Sequence, residues 1–249
     1  YRIDLATFSR EHQARYMEVN TMFGDELSHY LKPGDTVWVH DYHLIPLGQC
    51  LRRHGHDQTM GIFLHTPFPA AEVLIALPTH RELVQALAAY DLIGFQDAES
   101  VDSFLGYCRK ELQADVGDDG TVTYEGRSVK VAAFPIGLDY DEFLEGGKTG
   151  DARQAEQRMR SSSRHRKVII GVDRLDYSKG LPERFDAIGR FFDTYPDRVK
   201  QTLYVQIAPP SRQDVVSYQR IRNTLEQKAG QINGERSEVD MVPIRYVNK

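Results

Sequence analysis

Short apolar runs alternate along the chain with segments of helical spacing. Thr36–His40 (TVWVH) follows the turn signal Pro33-Gly34-Asp35 and predicts a strand. Leu44 to about Arg53 reads as a helix ending at Gly55, and Thr59–His65 (TMGIFLH) as a second strand. Ala70–Leu77 and Glu82–Tyr90 read as helices separated by Pro78, and Asp91–Phe95 as a third strand. From Asp97 to about Leu112 the spacing is helical, with Val101, Phe104, Leu105 and Cys108 on one face. Thr121–Tyr124 and Ser128–Phe134 flank Glu125-Gly126, a hairpin signal.

Near Glu145 the character changes. Gly146-Gly147, a polar helix-like stretch, a serine triplet and the basic run Arg164–Lys167 suggest a linker. The basic run reads as a solvated face or a strand entrance. Beyond it, Val168–Val172 predicts a strand, and a helix runs to about Tyr195 with Pro182 near its start. Phe185, Ile188, Phe191 and Phe192 form its buried side. Thr202–Ala208 predicts a strand, Arg212 to about Ala229 a long helix closed by Gly230, and Val242–Val247 another strand. Such alternation predicts mostly parallel sheets covered by helices. The expected organisation is α/β in two lobes: residues 1–145, a linker at 146–166, and residues 167–249, with ligands in the cleft between lobes.

Composition narrows the function classes. Of 249 residues, 41% are hydrophobic, enough for a packed core and too many for a disordered chain. No apolar run approaches the ~20 residues of a membrane span. A net charge of −5 argues against non-specific nucleic-acid binding. Two cysteines, Cys50 and Cys108, make no disulfide framework and no zinc pattern, so a reducing, cytoplasmic setting is the default. The chain starts at Tyr1 without a signal segment, and both ends look cut.

The strongest polar groups fall after predicted strands, where open α/β sheets gather ligands. His40-Asp41 ends the first strand and His65 the second; Arg174 and Lys179 follow the first strand of the second lobe, and Arg212 follows its second. His40-Asp41-Tyr42-His43 hints at a metal site, but completes no recognised ligand set; either histidine also reads as a packed side chain. Asp41 suits hydroxyl binding by a sugar. His65 precedes Thr66-Pro67-Phe68-Pro69, a loop stiffened by two prolines, and is open to a positioned or a structural reading. Arg174-Leu175-Asp176-Tyr177-Ser178-Lys179-Gly180 puts two cations five residues apart before a helix start. That arrangement suits a diphosphate, or it is an ordinary charged loop in which Asp176 pairs with a cation. Neither a Walker A nor a G-x-G-x-x-G pattern is present. Arg212, ahead of a further helix, is a second candidate anion contact.

Six segments together carry a resemblance: VWVHDYHLIPL at 37–47, GIFLHTPFP at 61–69, DLIGFQ at 91–96, FPIGLD at 134–139, RLDYSKGLPERF at 174–185 and QIAPPSRQDVVSYQ at 206–219. The chain resembles, from end to end, the trehalose-6-phosphate synthase family, retaining glucosyltransferases of the GT-B type (glycosyltransferase family 20). The resemblance implies two Rossmann-like domains facing across a cleft, acceptor-side then donor-side, both incomplete here. It implies glucosyl transfer from UDP-glucose, or another nucleoside-diphosphate glucose, to glucose 6-phosphate, giving α,α-trehalose 6-phosphate. No metal or other cofactor, nucleic acid or membrane is expected; a homo-oligomer is left open.

By the same resemblance Arg174 and Lys179 hold the donor diphosphate, Asp41 binds acceptor hydroxyls, His65 touches the donor glucose, and Arg212 helps bind the acceptor phosphate. Asp173, where many members carry glutamate, receives no role. The family's N-terminal acceptor loop and its acidic donor loop are not in this sequence, so the chain reads as a central fragment that need not be active alone. Rival readings are a GT-B synthase with another acceptor, such as glucosylglycerol-phosphate synthase, or a silent sugar-phosphate sensor.

Overall fold

The computed structural model describes residues 7–211 and 215–249. The chain divides into two compact units, the first running to Leu138 and the second from Asp139 to Lys249.

In the first unit, α1 (Arg10–Ser28) is followed by β1 (Thr36–His40), α2 (Leu47–Arg53), β2 (Thr59–Phe63), α3 (Ala71–Leu74), α4 (His80–Leu87) and β3 (Leu92–Phe95). Next come α5 (Ala98–Tyr107), β4 (Asp115–Val116), β5 (Thr121–Tyr124) and β6 (Arg127–Ala133). The sheet order is β1-β2-β3-β6-β5-β4. β1, β2, β3 and β6 run parallel; β5 and β4 add an antiparallel edge. Val39, Ile62, Ile93 and Val131 form one buried row across the four parallel strands. Apolar β-branched residues buried on both faces are what a helix-covered parallel sheet demands. Asp97 caps α5 by accepting from the Ser100 N–H at 2.7 Å. Glu125 and Gly126 both have positive φ (48° and 79°), the backbone of a tight two-residue hairpin.

In the second unit, α6 (Tyr140–Gly147) and α7 (Gly150–Ser162) precede β7 (Lys167–Val172), α8 (Leu181–Thr194), β8 (Thr202–Ile207), α9 (Val216–Arg236) and β9 (Ile244–Val247). The three strands are parallel in the order β7-β8-β9. The core packs Phe185, Phe192, Tyr204, Leu225 and Ile244. β7 lies at the sheet edge, with Ile170 and Val172 more than half exposed.

Several elements differ from the pattern. α1 has no strong apolar stripe; its buried residues are Asn20 and Gly24, so periodicity did not reveal it. β2 stops at Phe63, which leaves His65 in the following loop. Most of the segment between about 145 and 167 is helical, α6 and α7 being capped by Asp139 and Thr149 and burying no residue. α9 does not end at Gly230 but continues to Arg236. Two contacts hold that last stretch: Ile232 packs over Gly189, and Asn233 pairs with both backbone groups of Ile244 at 3.0 Å. Their gain outweighs the roughly 1 kcal/mol that glycine costs in a helix.

Gly48, in α2, faces the buried Tyr90 ring, and a Cβ there would lie 2.7 Å from it. Gly48→Ala is expected to destabilise by about 1–3 kcal/mol through overpacking, read as a lowered urea midpoint.

Candidate functional site

In the first unit the parallel register brings the ends of β1 and β2 side by side. His40 pairs with Phe63, and the next residue, Asp41, extends the ladder by donating its N–H to the Phe63 carbonyl at 2.7 Å. Asp41 then turns the chain with φ 66° and ψ 171°, a region almost reserved for glycine. Its carboxylate offsets part of that cost: Oδ1 accepts from the N–H of Tyr42 at 3.0 Å and of His65 at 3.3 Å. Asp41 and His65 are thus brought together, leaving Oδ2 without a partner among the described residues. His40, open in sequence to a packed or a metal-cluster reading, is exposed and joins the same group, its Nδ1 lying 3.0 Å from His65 Nε2.

The segment after Asp41 is held by three side chains that sequence reading missed. Tyr16 donates to the Tyr42 carbonyl at 2.6 Å and Asn20 to that of His43 at 3.1 Å. Tyr90 donates to the carbonyls of Leu44 and Ile45 and accepts the Gly48 N–H. Burial pushes the Tyr16 and Tyr90 phenols well above the ordinary tyrosine range, which keeps both as donors. Four consecutive carbonyls therefore have side-chain partners supplied 23 to 46 residues away in sequence. His43 turns aside to stack on Tyr42, with ring centroids 4.1 Å apart. Among the described residues no three His, Cys, Asp or Glu side chains converge as a metal-binding set.

In the second unit Arg174 and Lys179 share the loop between β7 and α8. The loop is pinned from within. Leu175 is buried and donates its N–H to the Pro209 carbonyl at 3.0 Å. Asp176 accepts from the Ser178 N–H at 2.9 Å and from the Tyr218 hydroxyl at 3.0 Å, and lies 3.6 Å from Arg174. Burial works to raise the Asp176 pKa, but the Ser178 and Tyr218 hydrogen bonds and the Arg174 charge outweigh it, so the carboxyl sits below its ordinary range. Gly180 adopts φ 59° and opens α8 with no side-chain cap. Pro182 has no N–H and the Arg184 N–H donates to the Gly180 carbonyl, so the N–H groups of Leu181 and Glu183 are the ones left without an acceptor among the described residues. Arg174 and Lys179 are exposed; Lys179 has no ion pair among the described residues. Cations beside an uncapped helix start make a cradle for a phosphate-like anion. Asp173 is spent locally, pairing with Arg184 at 2.5 Å. Arg212, the second candidate anion contact, lies outside the described residues.

Two units in one chain, each built on a mostly parallel sheet with polar groups at the carboxyl ends of its strands, match the architecture of the GT-B class. Within that class the description Glycosyltransferase family 20 matches residues 1–249, and the chain belongs to that family. It is 40% identical over 249 residues to the trehalose-6-phosphate synthase of Sinorhizobium fredii, covering 100% of this chain and 54% of that protein. Among solved structures it is similar to an α,α-trehalose-phosphate synthase (UDP-forming) from Burkholderia xenovorans in complex with glucose-6-phosphate. That match has 43% identity and a TM-score of 0.94, and covers 100% of this chain and 56% of the other. An E. coli structure described as bound with UDP-2-fluoro glucose matches at 38% identity and a TM-score of 0.93, covering 100% of this chain and 55% of that one. The chain thus spans about half the length of the relatives it matches. No helix among the described residues is long and apolar enough to cross a membrane.

Two outcomes follow from these geometries. Asp41→Gly and Asp41→Ala both lose the carboxylate, so their difference isolates backbone strain. The glycine variant is expected to be more stable by about 1 kcal/mol or more in chemical denaturation. For Asp176, the unfolded chain binds the proton more tightly than the folded one. Its stabilisation is complete above the ordinary carboxylate range, about pH 4, and is lost as pH falls through the lower folded value. Asp176→Asn is expected to melt lower at neutral pH and with a shallower acid limb, in thermal melts from pH 7 to pH 3.

Proposed function

We propose that this chain carries acceptor-side and donor-side binding loops of a retaining glucosyltransferase. The reaction moves glucose from UDP-glucose, or a related nucleoside-diphosphate glucose, to glucose 6-phosphate, and yields α,α-trehalose 6-phosphate and the nucleoside diphosphate. Residues 1–145 serve the acceptor side and 167–249 the donor side, joined through 146–166. The observation that carries this reading is the cradle of Arg174, Lys179 and the uncapped start of α8. It is supported by the relatives whose structures are described with glucose-6-phosphate and with a UDP-glucose analogue.

Arg174 and Lys179 offset the charge that grows on the leaving diphosphate as the glycosidic bond breaks. The free Oδ2 of Asp41 accepts from an acceptor hydroxyl, His65 meets the donor glucose, and Arg212 serves the acceptor phosphate. Retention here needs no carboxylate nucleophile of the glycosidase kind. The acceptor attacks from the face the diphosphate leaves, through an oxocarbenium-like transition state, and a phosphate oxygen takes the acceptor proton. Catalysis is then positioning plus charge stabilisation, without metal or cofactor, in a cytoplasmic setting.

The test is nucleoside diphosphate release from UDP-glucose with and without glucose 6-phosphate, for this chain and for the product of its complete gene. Release in the complete product should require glucose 6-phosphate. Arg174→Ala should lower it by roughly 10²–10³-fold, the scale for losing a charge-stabilising group. Its melting temperature should hardly change, because the side chain is 62% exposed. Undiminished turnover in that variant would sink the reading.

A further inference from the structure

His40 has no place in the function proposed above, yet its ring is one of the best-positioned groups at the edge of the first sheet. It closes β1, where its backbone is paired with Phe63, and Trp38 meets its ring edge-on at 5.7 Å. The His65 backbone is tied by its N–H bond to Asp41, and Phe63 lies against the His65 ring with centroids 4.9 Å apart. The two imidazoles are inclined by only 20°, with centroids 5.3 Å apart and facing nitrogens 3.0 Å apart. Nearly coplanar rings whose nitrogens face at hydrogen-bond distance share one in-plane N–H···N bond.

That bond constrains both rings. His40 engages through Nδ1 and His65 through Nε2, so one nitrogen carries the proton and the other receives it. If His40 Nδ1–H donates, both neutral rings are Nδ1–H tautomers. If His65 Nε2–H donates, both are Nε2–H tautomers, the form neutral histidine favours in water. Neither imidazole has a second hydrogen-bond partner among the described residues that would oppose this choice. The second arrangement leaves His65 Nδ1 bare, a hydrogen-bond acceptor.

We propose that His40 is a positioning residue. It fixes His65 as the Nε2–H tautomer, so that His65 Nδ1 accepts a hydrogen bond from a sugar hydroxyl. A hydroxyl is well matched to such an acceptor, because it can donate to the imidazole while accepting elsewhere. The role toward a sugar rests on the reading of His65 given under the proposed function; the locking of the tautomer does not.

The test is ¹⁵N NMR of the histidine side chains of this chain, at a pH above which their ring nitrogen shifts no longer change. In the unsubstituted chain, His65 should show a pyridine-like Nδ1 and a pyrrole-like Nε2, with nitrogen–nitrogen coupling across the bond to His40 Nδ1. His40→Phe keeps a ring but removes the partner, and should move both His65 nitrogens toward the averaged values of a free imidazole. His40→Asn places an amide near the position of Nδ1 and should restore the separation, which a purely space-filling role for His40 would not do. Amide spectra and melting temperatures report whether each variant stays folded. His65 nitrogen shifts that are unaltered in the folded His40→Phe chain, or absence of the coupling in the unsubstituted chain, would overturn the proposal. UDP-glucose is then titrated into the product of the complete gene, labelled in the same way, since this chain spans about half the length of its relatives. A shift confined to His65 Nδ1, lost in His40→Phe, supports the hydroxyl contact. No response with the tautomer lock intact counts against a sugar at His65 and leaves the locking by His40 standing.

Discussion

The parallel pairing of β1 with β2 is the constraint on which the candidate site in the first unit depends. The register running from Thr36↔Thr59 to His40↔Phe63 makes the two strands finish at the same level. The ladder then gains one more bond, from Asp41 to Phe63, and that bond carries the chain into a backbone conformation few residues accept. A slip of one residue would turn Val37 and Val39 out of the core and take Asp41 away from His65. The sheet therefore specifies the core and the juxtaposition of the polar side chains through one set of hydrogen bonds.

The two loops are stiffened by opposite chemistry. Around residues 42–45, neutral donors from Tyr16, Asn20 and Tyr90 satisfy backbone carbonyls, so no formal charge is needed to hold the segment beside Asp41. In the 174–180 loop a carboxylate does the holding, and Asp176 answers a backbone N–H, a phenol and a guanidinium at once. Because Asp176 is largely buried and Lys179 is not, the anchoring charge is inside and the cationic charge faces outward. Ordered backbone and open functional groups thus coexist within a few residues, the condition for a preorganised binding loop.

Much of this was legible in sequence. The apolar runs located the strands of both sheets, apart from the two-residue β4, and turn residues located the hairpin. Asp41, His65, Arg174 and Lys179 stood out because they follow those runs. What stayed hidden depends on distant partners. α1 is held by Asn20 and by the close approach of Gly24 to Cys50, neither of which produces an apolar stripe. The polar surface of α7 made a capped helix look like part of a linker, and α6, with Tyr140, Phe143 and Leu144 exposed, shows no buried stripe at all. Asp139 and Thr149, N-cap residues each followed by at least one acidic residue in the first turn, were the signals available. The extension of α9 beyond Gly230 required knowing that Asn233 would meet Ile244. His40 and His65 lie 25 residues apart, and only the register of their strands makes them partners.

The hairpin at Glu125-Gly126 has a consequence for the order in which the first unit assembles. β5 and β6 are joined by two residues, so they can pair on the microsecond scale without help from the rest of the chain. β3 must instead find β6 across more than 30 residues, matching Leu92 to Lys130. Loop-closure entropy makes that search slower, and a preformed hairpin shortens it by offering β3 a strand whose other edge is already occupied. The antiparallel edge of the sheet thereby becomes a template for the parallel part, and the β3–β6 junction is the natural place to look for the rate-limiting step of folding.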